Sequence, residues 1–291
     1  MTKLCLGTVQ FGMNYGIQGN GQPDLDKAVE ILTTAYNAGI MTYDTASAYG
    51  SAENVLNTFL SQPCIDRKNA RIISKTKSAD SQIINDAQCS LKNLGIDYLD
   101  GCLLHDADLV FNADAVENLK LLKETGISKE IGVSVYTPEQ AEKCLDYDYV
   151  DIIQVPYNIL DRRLDRCGFF ARAKETGLDV YVRSVLLQGL LMMNPNTLPA
   201  HMKFAEPYLQ KYQNICDKNG IGYFDCAVGY VLEHPDIDYI VFGVDNLTQL
   251  NQYIDLYSDL GKSNRNIGDM FGSVFDNVED KVIMPYLWNN N

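Results

Sequence analysis

Short apolar runs alternate eight times with longer amphipathic stretches along this chain, and this alternation constrains the fold more than any other feature. The runs are apolar at nearly every position, which is typical of strands in a parallel sheet that is buried on both faces. We predict one strand in each run. The predicted strands are residues 4–9, 41–44, 71–75, 98–105, 130–135, 150–158, 179–185 and 239–244.

The stretches between the runs have the periodicity of helices. In residues 25–38 the apolar side chains recur at helical spacing, with Asp24 as a plausible N-cap and Gly39 at the end. Residues 187–205 are predicted to form a long loop. The other predicted helices are residues 52–61, 80–94, 113–125, 138–146, 162–176, 206–219, 223–234 and 247–260.

Eight strand-then-helix units in 291 residues are most simply explained by a (β/α)8 TIM barrel in a single domain. The alternative is an open doubly wound sheet, which usually carries G-x-G-x-x-G after its first strand. Residues 12–21 read GMNYGIQGNG, which does not fit that pattern. No linker divides the chain, so we expect one domain over residues 1–291. The weakly patterned tail, residues 261–291, is a candidate to pack over a barrel mouth.

Charge and composition oppose several classes of partner. The formal net charge is −14, from 24 Lys and Arg against 38 Asp and Glu, which opposes binding to nucleic acid or to an anionic membrane surface. No apolar stretch is long enough to span a bilayer, and no secretory signal is visible. The eight cysteines include no CxxC pair and suggest a reducing compartment. We therefore expect a cytoplasmic protein.

Polar side chains stand at the carboxyl ends of three neighbouring predicted strands, where barrels of this type carry their function. Asp44 ends the second strand, and Tyr49 follows it in the next loop. Lys75 ends the third strand and His105 the fourth. Any one of these residues alone would most often be structural, so the prediction depends on the four falling on one rim.

This set of residues points to the chemistry of a carbonyl group. Tyrosine has a pKa of about 10, and a nearby ammonium favours the phenolate. An aspartate would keep the lysine charged, and a histidine can hold a carbonyl oxygen by a hydrogen bond. The four can polarise and protonate a carbonyl. Because no side chain supplies hydride, a nicotinamide cofactor is implied.

The motifs around these residues resemble those of the aldo-keto reductase family, over almost the whole chain. The matching segments are LGTVQFG (6–12), YDTASAYGSAE (43–53), SK (74–75), LLHD (103–106), IGVS (131–134), QVPYN (154–158), FGV (242–244) and QL (249–250). The spacing D-x4-Y, followed by the lysine and the histidine, is specific to the family. The resemblance implies a (β/α)8 barrel that reduces carbonyls with NADPH or NADH and has no Rossmann domain.

The resemblance also implies roles for the residues on the rim. Tyr49 would be the proton donor, Lys75 would lower its pKa, Asp44 would pair with Lys75, and His105 would orient the carbonyl. Lys77 is an alternative to Lys75, which is preferred because the family lysine follows a small hydroxyl residue, as it does here. Eight further residues would bind the cofactor. Ser134 and Gln154 would hold the nicotinamide carboxamide. The nicotinamide face and the pyrophosphate would be held by Arg183, Ser184 and Leu186. The adenosine end would be held by Gly243, Asp245 and Gln249.

Three positions depart from the family pattern. Val135 stands where many relatives have Asn, and Arg183 stands where the ring-stacking residue is often aromatic. After the last strand, relatives that bind a 2′-phosphate place basic residues, whereas this chain has Asp245 and no Lys or Arg before Lys262. A carboxylate repels a phosphate dianion, so the preference between NADPH and NADH stays open.

The leading hypothesis is a reductase that acts on a small aldehyde or ketone, including a sugar-like one. Its candidate pocket walls are Met13, Tyr15, Phe111 and Trp288. The alternative is a cofactor-binding regulatory or redox-sensing barrel with little turnover. A metal-dependent lyase or hydrolase is a third hypothesis, opposed by the presence of only three histidines without an HxH pair. We predict no metal site and make no prediction of the oligomeric state.

Overall fold

Eight parallel strands form a closed barrel in the computed structural model, which describes residues 2–17, 21–260 and 266–288. The strands are β1 (Lys3–Gly7), β2 (Thr42–Asp44), β3 (Arg71–Thr76), β4 (Leu99–Leu104), β5 (Ser128–Ser134), β6 (Ile152–Pro156), β7 (Asp179–Arg183) and β8 (Tyr239–Phe242). Each strand pairs with the next along the chain, and β8 closes the barrel by pairing with β1. The predicted (β/α)8 TIM barrel in a single domain is confirmed.

Helices surround the barrel and follow most of its strands. They are α1 (Val9–Gly12), α2 (Leu25–Asn37), α3 (Ala52–Leu60), α4 (Gln82–Leu94), α5 (Ala113–Glu124), α6 (Pro138–Cys144), α7 (Arg163–Arg166), α8 (Phe169–Thr176), α9 (Glu206–Asn219), α10 (Tyr223–Leu232), α11 (Leu247–Leu260), α12 (Ile267–Phe271) and α13 (Asp280–Ile283). The Asp24 side chain accepts the Lys27 backbone N–H at 2.9 Å, as predicted for the cap of α2. None of the described helices has both the length and the apolarity needed to cross a membrane.

The structure corrects three of the predicted elements. The first strand ends at Gly7, because α1 begins only two residues later. The helix predicted over 162–176 is interrupted at Gly168, whose φ of +67° separates α7 from α8. The segment predicted as a long loop, 187–205, contains three short 3-10 helices. These are Leu187–Met192, Pro195–Thr197 and Ala200–Ala205.

Side chains of two kinds fill the barrel interior, because alternate residues of a strand point to the same side. An apolar layer lies towards the amino ends of the strands. It consists of Cys5, Ile73, Leu103, Ile152, Tyr181 and Tyr239. Two residues further along three of these strands come Lys75, Gln154 and Arg183. The alternation therefore carries polar side chains to the carboxyl-end rim, above an apolar floor.

The described part of the tail, residues 266–288, packs against the barrel's outer elements. Ile267 contacts Gly229 of α10, and the backbone oxygen of Gly272 accepts a hydrogen bond from Arg162. Near its end, the Tyr286 ring meets the Tyr136 ring edge-on, with centroids 5.6 Å apart, just beyond the carboxyl end of β5. Residues 261–265 and 289–291 lie outside the described part, so packing of the whole tail over a mouth stays a prediction.

Candidate active site

A buried ion pair lies at the carboxyl ends of β2 and β3. Lys75 is 2% exposed and Asp44 is 3% exposed. The Lys75 Nζ donates to the two carboxylate oxygens of Asp44, at 2.6 and 2.7 Å, and to the backbone oxygen of Thr45 at 3.0 Å. Gln154 donates from its Nε2 to the same carboxylate at 2.8 Å. The alternative lysine, Lys77, is exposed. Lys75 is therefore the lysine that the fold brings to Asp44.

The phenol of Tyr49 adjoins this pair, with its Oη 3.3 Å from the Lys75 Nζ. Burial raises the pKa of Tyr49, and although Lys75 lowers it, the net pKa lies above its usual value. Burial lowers the pKa of Lys75, but Asp44 and Tyr49 outweigh burial and the net pKa is raised. Lys75 thus lowers the pKa of Tyr49, as predicted, but burial raises that pKa by more. At neutral pH, Tyr49 and Lys75 both carry their protons.

The loop that carries Tyr49 is held by close packing against α1. The Ser51 backbone N–H donates to the Gly12 oxygen at 3.2 Å. A Cβ at Gly12 would collide with the carbonyl oxygen of Tyr49 and the backbone of Ala52. Only glycine lets the two backbones approach this closely, so α1 fixes the position of the loop beside the ion pair.

His105 is the fourth of the residues that were predicted to lie together at this rim. Its ring meets the Tyr49 ring edge-on, with centroids 5.7 Å apart and an interplanar angle of 86°. Burial, followed by the charge of Lys75, lowers the pKa of His105 to about 4. Its Nδ1 is buried and has no hydrogen-bond partner among the described residues. The imidazole is therefore neutral at pH 7 and has one N–H to donate.

We expect this histidine to weaken the fold as the pH falls. An unfolded histidine has a pKa of about 6.5, whereas the folded pKa of His105 is about 4. Between these values the unfolded chain binds a proton that the folded chain does not. The contribution to stability is therefore complete above the unfolded pKa and is lost as the pH falls towards the folded pKa, reaching at most about 3 kcal/mol before solvent screening.

Urea denaturation at pH 7 and pH 5 measures this loss. Wild type should lose about 1–2 kcal/mol more free energy of unfolding between the two pH values than His105→Gln does. His201→Gln, at an exposed histidine, is the matched control and should behave like wild type. Equal losses in wild type and His105→Gln would contradict the lowered pKa.

The backbone beyond β7 is strained next to this group. Ser184, Leu187 and Gln188 have φ values of +64°, +47° and +54°, a region that costs about 1 kcal/mol or more for residues other than glycine. Asn158 donates from its Nδ2 to the Ser184 oxygen at 3.1 Å and accepts two backbone N–H groups through its Oδ1. Strain of this kind clusters at functional sites, where the surroundings hold it in place.

A cavity of about 390 Å³ opens between this strained segment, Tyr49 and the end of β8. Nine of the twelve predicted site residues line it. These are Asp44, Tyr49, Gln154, Arg183, Ser184, Leu186, Gly243, Asp245 and Gln249. Lys75, His105 and Ser134 do not, and Ser134 is buried beside Gln154 in the β5–β6 register. Of the four predicted pocket walls, Tyr15 lines this cavity, whereas Met13, Phe111 and Trp288 do not.

Sequence reasoning missed several residues that line the cavity. They include Gln10, Gln188, Phe224, Gln252 and Tyr253. The Oε1 of Gln10 is buried with no hydrogen-bond partner among the described residues, and a Cβ at Gly243 would collide with its amide. The one signal for Gln10 was its place inside the LGTVQFG motif, which runs from the end of β1 into α1.

Side chains accept hydrogen bonds from two backbone N–H groups around the start of α11. The Gln249 N–H already donates to the Asn246 side chain at 3.0 Å, and the Asp245 N–H donates to the Gln249 side chain at 2.7 Å. Across the described ranges, no group of three or more His, Cys, Asp or Glu side chains is arranged to hold a metal ion.

Comparisons with known proteins point to one family. The model of the aldo/keto reductase family matches residues 3–264. Aldo-keto reductase YhdN of Bacillus subtilis (strain 168) is 26% identical over 281 residues, covering 86% of this chain and 83% of that protein. The NADH-specific methylglyoxal reductase of Escherichia coli (strain K12) is 25% identical over 294 residues, covering 87% and 89%. The holo form of aldo-keto reductase AKR11C1 from Bacillus halodurans has a TM-score of 0.74 at 21% identity, covering 92% and 91%.

Proposed function

Because this chain belongs to the aldo/keto reductase family and is an NAD(P)H-dependent oxidoreductase, we propose that Tyr49 donates the proton when a small aldehyde or ketone is reduced to an alcohol. One observation carries the proposal: the Tyr49 Oη lies 3.3 Å from an ammonium that is itself held by a buried carboxylate. A protonated phenol is the form that a proton donor needs, and the adjacent ammonium stabilises the phenolate left after the transfer.

The residues around the cavity fit a nicotinamide dinucleotide. A cavity of about 390 Å³ falls within the range of pockets for small ligands, and the unpartnered Oε1 of Gln10 offers an acceptor in its wall. When bound, the nicotinamide would supply the hydride. We propose that Ser134 and Gln154 hold its carboxamide. Since Gln154 already donates its amide N–H to Asp44, its oxygen would accept from the ligand.

The remaining predicted residues have complementary roles along the cavity. Ser184 and Leu186, at the end of β7, would support the diphosphate, and Arg183 would lie against the nicotinamide face. Gly243, Asp245 and Gln249, after β8, would hold the adenosine end. The neutral imidazole of His105, edge-on to Tyr49, would donate its N–H to the carbonyl oxygen and keep the substrate beside the phenol.

We propose that the preferred cofactor is NADH. Asp245, which follows β8, lines the cavity together with neutral side-chain amides. Arg183 is the single cation among the described residues that line it. A carboxylate can accept a hydrogen bond from a ribose 2′-hydroxyl but repels a 2′-phosphate. The E. coli relative named as NADH-specific supports the same direction.

Cofactor titration and a turnover assay test the function and the preference together. We expect NADH to bind about tenfold or more tightly than NADPH and small aldehydes to oxidise it with turnover. Asp245→Asn should reduce the NADH preference, whereas Asp255→Asn, at an exposed carboxylate of α11, the helix that follows Asp245, should keep it. Tighter binding of NADPH would refute the preference. Cofactor binding without turnover of any carbonyl would refute the reductase and favour the redox-sensing barrel.

A further inference from the structure

Arg183 is the last residue of β7, and its side chain lines the cavity that Tyr49 also lines. Its Nη2 donates to the Val135 backbone oxygen at 2.9 Å, and its Nη1 lies 3.5 Å from the Ser184 Oγ. The guanidinium Cζ lies 4.2 Å from the centroid of the Tyr136 ring. These partners are neutral, and no carboxylate among the described residues lies within ion-pair distance of Arg183.

The absence of a carboxylate partner sets Arg183 apart from the other half-buried arginines among the described residues. Each of the others forms an ion pair with a carboxylate. The pairs are Arg67–Asp100, Arg71–Glu130, Arg162–Asp276 and Arg163–Asp161. Removing a guanidinium from water is costly unless a negative group compensates the charge. Arg183 therefore lacks, within the described protein, the counter-charge that its equivalents have.

The charges around Tyr49 leave this end of the cavity positive. Lys75 is offset by Asp44 in the buried pair, and His105 is neutral at pH 7. The remaining positive charges are those of Arg183, which lines the cavity, and of Lys77, which is exposed. Both lower the pKa of His105, and Arg183 also lowers the pKa of Tyr49. An anionic group bound here would lie beside the reacting phenol and next to a guanidinium.

The surroundings of Arg183 hold its guanidinium in one orientation. Tyr136 stacks against it, and Tyr286 of the tail meets Tyr136 edge-on. Val135, which stands where the family often has Asn, contributes the backbone oxygen that fixes the Nη2. Only two of the guanidinium nitrogens have hydrogen-bond partners, so the planar fork of the guanidinium keeps N–H groups that can donate to a ligand. A fork that is held in this way matches a carboxylate or a phosphate.

We propose that the substrate is a carbonyl compound that also carries a carboxylate or a phosphate, and that Arg183 binds this anionic group while Tyr49 protonates the carbonyl oxygen. The inference rests on the proposed reductase function. The carbonyl carbon gains a hydride, its oxygen gains a proton, and the C=O double bond becomes a single bond. The product is the corresponding hydroxy acid or hydroxy phosphate, and the nicotinamide is oxidised.

Two matched pairs of substrates test the proposal with the purified protein and NADH. One pair is 4-oxobutanoate and its methyl ester, and the other is glyceraldehyde 3-phosphate and glyceraldehyde. In wild type, kcat/KM should favour the anionic member of at least one pair by about 10- to 100-fold. Arg183→Gln should abolish that ratio, and Arg183→Lys, which keeps the charge but not the fork, should retain part of it. The pair that responds identifies the anionic group.

The controls separate a local effect from a general one. Arg172→Gln removes the same charge at an exposed arginine that pairs with Glu142, and it should keep the wild-type ratio. Titration with NADH reports on the cofactor's own diphosphate. If Arg183→Gln weakens NADH binding and leaves the substrate ratio unchanged, Arg183 serves the cofactor and the inference is overturned.

The remaining outcomes distinguish the inference from the proposed function. Turnover of the neutral compounds without preference for the anionic ones overturns the inference and leaves the reductase intact. Binding of NADH with no turnover of any of the four compounds, or of the wider aldehyde panel, overturns the reductase and the inference with it.

Discussion

Replacement of Tyr49 by phenylalanine is expected to lower kcat for carbonyl reduction by about 10²- to 10⁴-fold, the usual contribution of a positioned proton donor. The substitution removes the hydroxyl that lies 3.3 Å from the Lys75 Nζ and leaves the ring in place. The Asp44–Lys75 pair does not depend on that hydroxyl, because the carboxylate keeps three donated hydrogen bonds. The fold and the cofactor cavity should therefore survive.

Steady-state kinetics and a fluorescence titration with NADH measure these two effects separately. The titration should give a Kd within about threefold of wild type, while turnover is lost. Tyr43→Phe is the matched control, because it removes the hydroxyl of a buried tyrosine on β2, the strand that precedes the Tyr49 loop. The Tyr43 hydroxyl has no hydrogen-bond partner among the described residues, and its ring packs against Phe59 on the outer side of the barrel. Nearly full activity in Tyr49→Phe would exclude this phenol as the donor.

The barrel could be predicted from the sequence because its strands are buried on both faces and therefore lack polar alternation. Ile72 and Ile73 show this, since one packs towards the helices and the other into the barrel floor. The convergence of Asp44, Lys75 and His105 followed from the order of neighbouring strands in a parallel barrel. The roles of these residues remain predictions that the kinetic experiments decide.

Other features depend on three-dimensional packing and could not be predicted. The net rise in the pKa of Tyr49 results from burial, which the sequence does not state. Ser184 and Leu187 are not residue types that favour a left-handed backbone, so nothing in the sequence indicated the strain beyond β7. Gln10 has no spacing that marks it as a cavity residue, and its place in the wall depends on close packing against Gly243.

Replacement of Lys75 by methionine is expected to destabilise the protein by about 3–5 kcal/mol and to abolish turnover. Methionine keeps the length and apolar stem of lysine but leaves the carboxylate of Asp44 buried without its counter-charge. Gln154 would remain as its one side-chain donor, and a neutral amide does not offset a buried charge. Tyr49 would also lose the ammonium that lowers its pKa, so proton transfer would slow as well.

A double-mutant cycle in urea denaturation separates the two consequences. Asp44→Asn removes the charge and leaves an oxygen that can accept from Gln154. Lys75→Met combined with Asp44→Asn should therefore recover most of the stability lost in Lys75→Met alone, with a coupling energy of about 2–3 kcal/mol. It should recover no activity, because the ammonium beside Tyr49 is still missing. Additive losses of stability would show that the two charges are not coupled, whereas recovered activity would show that Tyr49 works without Lys75.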